Sequence, residues 1–537
     1  MAEIYSQKEK ALIAPYVTNV DSDVFVLTNL PDVVKGALFS RYSRSPKTLR
    51  RLLLDEFILN AESGFNQIAG QMPAEDSSVA IKKAEEFYDR VLIGYGDDSV
   101  AELGGAHVAC ENVSQIAAKA LEDPRIGISP LEKSTRYVIF NEKQGGKYLY
   151  YREPSIMAGP HAQLFEETCD MLFDEYSRLL PPITAYLKEK HPKDFDASDR
   201  AYDAAIRAKA CDTLRVYLPA ATQTNVGLFG NGRAFEYLIV KLRSQNLPEM
   251  QALAASIHGE LTKHIPSFVK RAYGAHGDTQ AEFLASQRKA LSSIAKETLA
   301  AKTSGEKEVT LVSAPPEKDA LLSVAASALY SQSDMPEAEV RAQLATQPQE
   351  KLIEIVRACV AGRGNRRHKP PRAFETVHYG YDVLGNFGIY RDLQRHRILT
   401  QERQLLTTKH GYDTPPILIE AGYEKDYKDA MKKADDAYRV LAKKSPEAAQ
   451  YVVPFGYKIR WYVKLNLREL FHFAELRTSP QGHADYRRVA YEMYRLAAEK
   501  HPNLTAGMTY VNAEQTALER LDAEKRNDEK MRKTKDK

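Results

Sequence analysis

Arg215-Val216-Tyr217-Leu218-Pro219 is followed downstream by Asn231-Gly232-Arg233, and Gln450-Tyr451-Val452-Val453-Pro454 is followed by Asn466-Leu467-Arg468. The step from Pro to Asn is 12 positions in both blocks. Each Asn-x-Arg opens a helical pattern that closes on Leu-Arg, at Leu242-Arg243 and at Leu476-Arg477. A second pair of matching points lies earlier. Val24-Phe25-Val26-Leu27-Thr28-Asn29-Leu30-Pro31 parallels Val309-Thr310-Leu311-Val312-Ser313-Ala314-Pro315-Pro316. Each reads as a short β run, a Pro, and a small-residue helix ending in a Ser-rich stretch, 37–45 and 325–333. Order and spacing kept at separated points signal a duplication, not a solenoid period. The expected fold is α+β, two tandem domains, each a sheet packed with helices. Their expected bounds are 1–300 and 301–520, followed by a charged tail, 521–537.

The boundary is expected between about 275 and 308, where a helix over 280–303 gives way to Thr303-Ser304-Gly305-Glu306-Lys307, a charged turn-rich link. Helical periodicity predicts further helices over 162–180, stopped by Pro181-Pro182, and over 250–273 and 426–444. The tail is expected to be a frayed helix or disordered. At 537 residues the chain is long enough for two to four cores. A net charge of +3 is too balanced to point to nucleic acid. There is no apolar stretch of membrane-spanning length and no secretory layout at the N-terminus. Cys110, Cys169, Cys211 and Cys359 form no CxxC pair, so they read as reduced thiols of a cytoplasmic protein, and no metal site is expected.

Two constellations carry chemistry. Arg395-His396-Arg397 ends the segment Gly388-Ile389-Tyr390-Arg391-Asp392-Leu393-Gln394. Three adjacent groups able to carry charge are costly to hold together unless an anion or an electron-rich ring lies against them. On a helix, Asp392 would face His396 and Arg391 would face Arg395; a salt-bridged surface helix is the plain alternative. The other constellation is Leu131-Glu132-Lys133-Ser134-Thr135-Arg136-Tyr137, after Ile126-Gly127-Ile128-Ser129-Pro130, which reads as a loop. In an extended segment Glu132, Ser134 and Arg136 share one side, a carboxylate, a hydroxyl and a guanidinium suited to clasp a nucleotide. A strand edge with its polar residues outward is the competing reading.

Together the halves resemble the flavin-dependent thymidylate synthases, the ThyX family. That family carries RHR within a run of the form RHRxxSxNExSxRY, preceded by a GHxTPFEH-like segment and followed by RxxLP and NxRxxxxFxxLR with a downstream His. The second half holds His368, Phe374-Glu375, Arg395-His396-Arg397, Asn466, Arg468, Leu476-Arg477 and His483. The first half holds Gly96-Asp97-Asp98-Ser99-Val100-Ala101-Glu102, Glu132-x-Ser134-x-Arg136-Tyr137, Arg215 with Leu218-Pro219, Asn231 and Arg233. Departures are as informative. Leu405 stands where the signature has Ser, Asp392 where the family usually has Gln, and Gln450 replaces the Arg of RxxLP; the first half has no RHR. The halves have thus lost complementary parts. The resemblance implies a composite site, with the first half's nucleotide clasp and the second half's RHR around one ligand, in a homodimer that imitates a four-domain assembly.

The implied reaction is reductive methylation of dUMP to dTMP, with FAD as cofactor and NADPH and methylenetetrahydrofolate as co-substrates. By the same resemblance, Arg395, His396 and Arg397 are catalytic. His368, Glu375, Arg395, His396, Arg397, Asn466, Arg468, His472 and His483 bind the flavin. Glu132, Ser134, Arg136, Arg215, Arg395 and Arg477 bind the nucleotide. A flavoenzyme for another pyrimidine nucleotide is one rival, suggested by Asp392 and the region of Arg403. A non-catalytic flavin- or nucleotide-binding protein is another, separable by whether NADPH reduces the bound flavin. A nucleic-acid modifier is disfavoured by the charge balance.

Overall fold

The computed structural model describes residues 4–43, 45–60, 100–124, 126–300, 307–514 and 516–535. Residues 96–99 of the first-half motif and 303–306 of the expected link lie outside them. The chain forms two compact units that are discontinuous in sequence. One comprises Met1–Glu111, Ala120–Glu132 and Asn225–Ala301; the other comprises Asn112–Lys119, Lys133–Thr224 and Lys302–Lys537. Mixed helix and sheet is found in both, as the α+β reading expects.

The first unit carries a three-stranded sheet of β1 (Gly105–Val113), β2 (Ile128–Glu132) and β3 (Thr224–Asn231), in the order β1-β3-β2. β2 and β3 are antiparallel, with Ile128 opposite Gly230 and Glu132 opposite Val226. The segment read as a loop is therefore partly strand. Its Pro130, opposite Leu228, sits on an edge strand, where a missing N–H is tolerated. β3 ends at Asn231, whose side chain accepts from the Ala234 amide and caps the helix Gly232–Arg243. The run at 24–31 is not a strand; it makes an isolated bridge from Leu27 to Val17. The helix expected over 250–273 ends at Thr262, because Pro266 cannot continue it, and a short turn restarts there.

The second unit holds a four-stranded antiparallel sheet of β4 (Val309–Ser313), β5 (His378–Asn386), β6 (Leu399–Arg403) and β7 (Lys458–Asn466), ordered β4-β5-β7-β6. Tyr381 pairs with Val463 and Val383 with Trp461, so the central strands carry buried aromatic and β-branched residues in register. Its helices include α1 (Ala162–Lys190), α2 (Asp199–Leu214), α3 (Phe387–Leu393), α4 (Leu467–Arg477), α5 (Ala484–Lys500) and α6 (Leu521–Lys535). α1 runs through Pro181 and Pro182 instead of stopping there. Phe165, Cys169, Leu172, Tyr176, Leu179, Ile183 and Leu187 form one buried stripe across both prolines, and this packing outweighs the two lost backbone bonds. The tail is the helix α6. Its Glu524 and Asp528 pair with Arg200 of α2, and its Lys525 with Asp196, which is 2.7 Å away.

The Pro-centred segments of the two blocks meet inside this second unit. Ala220 and Ala221 donate to the carbonyls of Val453 and Tyr451 at 2.9 and 2.8 Å, and Phe455 and Gly456 donate to those of Leu218 and Val216, both at 3.0 Å. Pro219 bridges Pro454 in an antiparallel sense. The two Pro-centred segments pair reciprocally, and each Pro stands where its absent N–H costs nothing. The pairing brings Arg215, just upstream of the first segment, against residues of the second half.

Candidate functional site

Arg395-His396-Arg397 is not helical. α3 ends at Leu393, and the tripeptide forms the turn into β6. Asp392 and His396 therefore do not share a helix face, and each finds a partner elsewhere. Arg395 and Arg397 are exposed, whereas His396 is buried. The 131–137 segment is strand only as far as Glu132, the end of β2. Residues 135–137 turn, with Val138 N–H donating to Ser134 O. Glu132 lies in the first compact unit, and Ser134 and Arg136 in the second.

In the second unit a buried cluster joins both sequence halves. Arg136 grips Asp212 of α2 with two bonds, Nε to Oδ1 at 2.8 Å and Nη2 to Oδ2 at 2.7 Å. Its Nη1 is 3.5 Å from the hydroxyl of Tyr486 on α5. The Tyr486 ring has the guanidiniums of Arg136 and Arg477 each 5.7 Å from its centre. Arg215, 2% exposed, donates from Nη1 to Asp392 Oδ2 at 3.2 Å, and its Nη2 is buried with no hydrogen-bond partner. Gly388, in the first turn of α3, lies against this arginine: a Cβ there would meet Arg215 Nε at 3.4 Å, an ordinary contact, and Asn386 Oδ1 at 3.1 Å. Arg391 donates to Thr135 Oγ1 at 3.0 Å and lies over the Phe455 ring.

The electrostatics follow from burial and crowding. Burial pushes the Asp392 carboxyl up, but Arg215, Arg395, Arg136 and Arg391 outweigh it and hold it well below the usual carboxylate range. Asp212 is lowered in the same way: burial raises it, and Arg136 and His483 more than offset that. His483 caps α5 through the Asp485 amide, and burial together with Arg215 lowers its imidazole. Burial lowers the Arg477 guanidinium too, against Tyr486 and Asp392. Several arginines sharing two aspartates make a site with room for an anion's charge.

A second feature adjoins this cluster. His396 Nδ1 is 2.7 Å from Glu469 Oε1, and Arg477 Nε donates to His396 Nε2 at 2.8 Å. Glu469 and His472 face a pocket of about 260 Å³, lined also by Lys369, Arg372, Glu375, Ile398, Asn466 and Arg468. Asn466 ends β7 and caps α4 by accepting from the Glu469 amide, which fixes Glu469 and Arg468 at the pocket. Arg468 donates to Pro370 O and pairs with Glu375 at 3.3 Å. Burial pushes the Glu469 carboxyl up to about 7, against Lys369, Arg468 and Arg477. Burial and the cations Lys369, Arg366 and Arg477 pull His472 down to about 4.

The ligand atoms of His396, Glu469 and His472 lie within 4.8 Å of one another, a spacing that could hold a metal ion. Both nitrogens of His396 are engaged, however, and Lys369, Arg366 and Arg477 oppose a cation. Of the residues expected at a flavin, Glu375, Asn466, Arg468 and His472 share the pocket, while His483 lies with Arg215 and Asp212. His368 closes its own loop, accepting from the Gly364 amide. Of those expected at the nucleotide, Arg136, Arg215 and Arg477 meet. In the first unit Arg233 pairs with Glu102 at 2.8 Å. Sequence reasoning missed Asp212, Glu469 and Tyr486. Only Glu469 has a local signal, as an acid three residues after a capping Asn.

Comparison with known proteins agrees with this architecture. The family model described as Thy1, thymidylate synthase complementing protein, matches residues 57–267 and 310–503. A UPF0159 protein of Chlamydia pneumoniae is 46% identical over 527 residues, covering 98% of each chain. A flavin-dependent thymidylate synthase of Geobacter sulfurreducens is 31% identical over 121 residues, 21% of this chain and 52% of that protein. Among solved structures, a UMP/dUMP methylase PolB from Streptomyces cacaoi bound with 5-Br dUMP aligns over 38% of this chain and 94% of its own, with 19% identity and a TM-score of 0.30, a likeness too slight to build on.

Proposed function

This chain belongs to the Thy1 family of thymidylate synthase complementing proteins, and we propose that it is a flavin-dependent enzyme that methylates dUMP reductively to dTMP. The observation that supports the reading is the convergence of Arg136 and Arg215, from one half of the sequence, with Asp392, Arg477 and Tyr486 from the other. Apart from Glu132, the nucleotide-clasp residues of the first half and the RHR of the second lie within one compact unit. The donor chemistry suits a nucleotide monophosphate. Arg215 offers a buried Nη2 without a partner, and the planar guanidiniums of Arg136 and Arg477 flank the Tyr486 ring. Asp392 and Asp212 orient these cations and keep them apart before an anion arrives.

The basic side chains of Lys369, Arg372 and Arg468 at the pocket suit the diphosphate of FAD. Its 260 Å³ is below the roughly 300–1,000 Å³ of pockets that enclose a drug-sized ligand, so it would hold only part of the dinucleotide and leave the rest to exposed residues such as Arg395 and Arg397. Bound there, FAD would supply the reducing equivalents, with NADPH and methylenetetrahydrofolate as reductant and carbon donor. The protein's own share is binding, orientation and charge. Asn466 holds Arg468 and Glu469 at the pocket, and Arg136, Arg215 and Arg477 take up the nucleotide's negative charge.

One observation favours a second reading, a different pyrimidine nucleotide. Asp392 already occupies Arg215, and an ionised carboxylate only accepts hydrogen bonds, where an amide both donates and accepts. The absorption spectrum of the purified protein tests the first reading. A flavin band that NADPH bleaches, with the rate changed by dUMP, is expected. Protein that takes up neither FAD nor dUMP would overturn it.

A further inference from the structure

His396 is the buried member of an exposed Arg-His-Arg turn, and its ring is used up by protein. Arginine only donates hydrogen bonds. The 2.8 Å contact from Arg477 Nε therefore requires a lone pair on His396 Nε2, which puts the ring proton on Nδ1. Nδ1–H then donates to Glu469 Oε1, 2.7 Å away. The ring is wedged against Phe473, centroids 4.6 Å apart, and beside His472 at 5.5 Å. An imidazolium would have no lone pair for Arg477, so any proton added to the pair belongs on Glu469. The upward displacement of that carboxyl agrees. From Arg477 the line continues to the Tyr486 ring and on to Arg136 and Asp212.

We infer that His396, in its neutral Nδ1–H form and backed by Glu469, is a positioning residue that aims Arg477 at the nucleotide, and not itself a contact to the flavin. The nucleotide part of this rests on the function proposed above; the tautomer does not. A hydrogen-bonded line runs from Glu469, at the edge of the basic pocket, to the arginine cluster, so the two sites share one rigid element. Neither Glu469 nor His396 needs to touch a ligand for their loss to move Arg477.

Two measurements on the full-length protein test it. The first is nitrogen-15 NMR of histidine-labelled protein, with the His396 signals assigned by their loss in His396→Gln. A pyrrole-type Nδ1 and a pyridine-type Nε2 that shifts in Arg477→Lys are expected at neutral pH; a protonated Nε2 or an imidazolium would overturn the inference, whatever the protein binds. The second is titration with dUMP and FAD. His396→Gln puts an amide oxygen near the place of Nε2, and dUMP affinity should stay within about threefold of wild type. His396→Phe keeps the ring packing but has no acceptor, and dUMP affinity should fall at least tenfold with FAD affinity nearly unchanged. If His396→Phe binds dUMP like His396→Gln, the ring only fills space and the positioning role is wrong. If FAD affinity falls with dUMP affinity, His396 is a flavin contact after all. If wild type binds no dUMP, the proposed function fails, and the NMR result still decides the tautomer.

Discussion

Replacing Arg136 with Met should cost far more than removing a surface ion pair. Arg136 is 8% exposed and Asp212 7%, and two bonds of 2.8 and 2.7 Å join them. Taking away one partner leaves a carboxylate in a poorly solvated place, a loss of about 3–5 kcal/mol. Arg136→Met alone should therefore shift the denaturant midpoint of the second compact unit strongly. Replacing both partners with apolar residues of similar volume is nearly neutral in other buried pairs, so Arg136→Met with Asp212→Leu should recover most of the loss. The assay is urea unfolding of the full chain, followed by circular dichroism and by the fluorescence of Trp461, which lies in β7 of that unit and is the chain's single tryptophan. Trp461 reports on this unit alone, which matters because two compact units need not unfold together. Equal losses in the single and double variants, or a loss for Arg136→Met within the roughly 0.5 kcal/mol of an ordinary surface change, would refute the buried-pair argument. The functional side of the prediction uses the double variant. Although stable, it should bind dUMP at least tenfold more weakly, the value of one charge-assisted bond of about 1.5 kcal/mol or more.

Arg397→Ala combined with Arg468→Ala should weaken FAD binding by at least about tenfold, measured by flavin fluorescence quenching; an unchanged affinity would remove the pocket at Arg468 from consideration. Glu469 should make the protein less stable as pH rises. Its folded-state value near 7 lies above the ordinary 4.5, so the fold favours the protonated form, and that contribution is present below about pH 4.5 and lost as pH climbs through 7. The difference is at most about 3 kcal/mol, and Glu469→Gln should flatten that part of the stability profile; an unaltered profile would mean the carboxyl titrates normally. The carboxylates of Asp212 and Asp392 act in the opposite direction. Their lowered values stabilise the protein above the ordinary carboxylate range, and that contribution is lost as pH falls through the lowered folded-state values, so Asp212→Asn should blunt acid denaturation. Light scattering should give a homodimer at micromolar concentration; an active monomer would contradict the four-domain imitation.

Much of the fold was legible because its signals are local. An Asn followed by an amphipathic run is a capping signal wherever it occurs, and Asn231 and Asn466 both cap helices after strands, 12 residues beyond a matching Pro. The α+β class and the duplicated blocks follow from such short-range patterns. Where a local signal competed with packing, it failed. Pro181 and Pro182 read as a stop, yet a buried stripe that continues on both sides carries α1 through them. Arg391 to Arg397 has helical spacing, but α3 ends at Leu393, because His396 is drawn to Glu469 and Arg477 and Asp392 to Arg215.

The sequence alone determined which residue types were on hand: arginines from both halves, an RHR in one half only, an ExSxRY in the other, and an acid at 392 where the family usually has an amide. On the family's pattern, a complete site would then draw on both halves. Only the tertiary structure decided which charges neutralise which. Asp212 is 76 positions from Arg136, Glu469 is 73 from His396, and Tyr486 is 350 from Arg136. No periodicity links such partners. They are chosen by burial, which makes an unpaired charge costly and so forces each guanidinium, carboxylate and ring nitrogen to settle with whichever opposite group the folded chain brings within 3 Å or so.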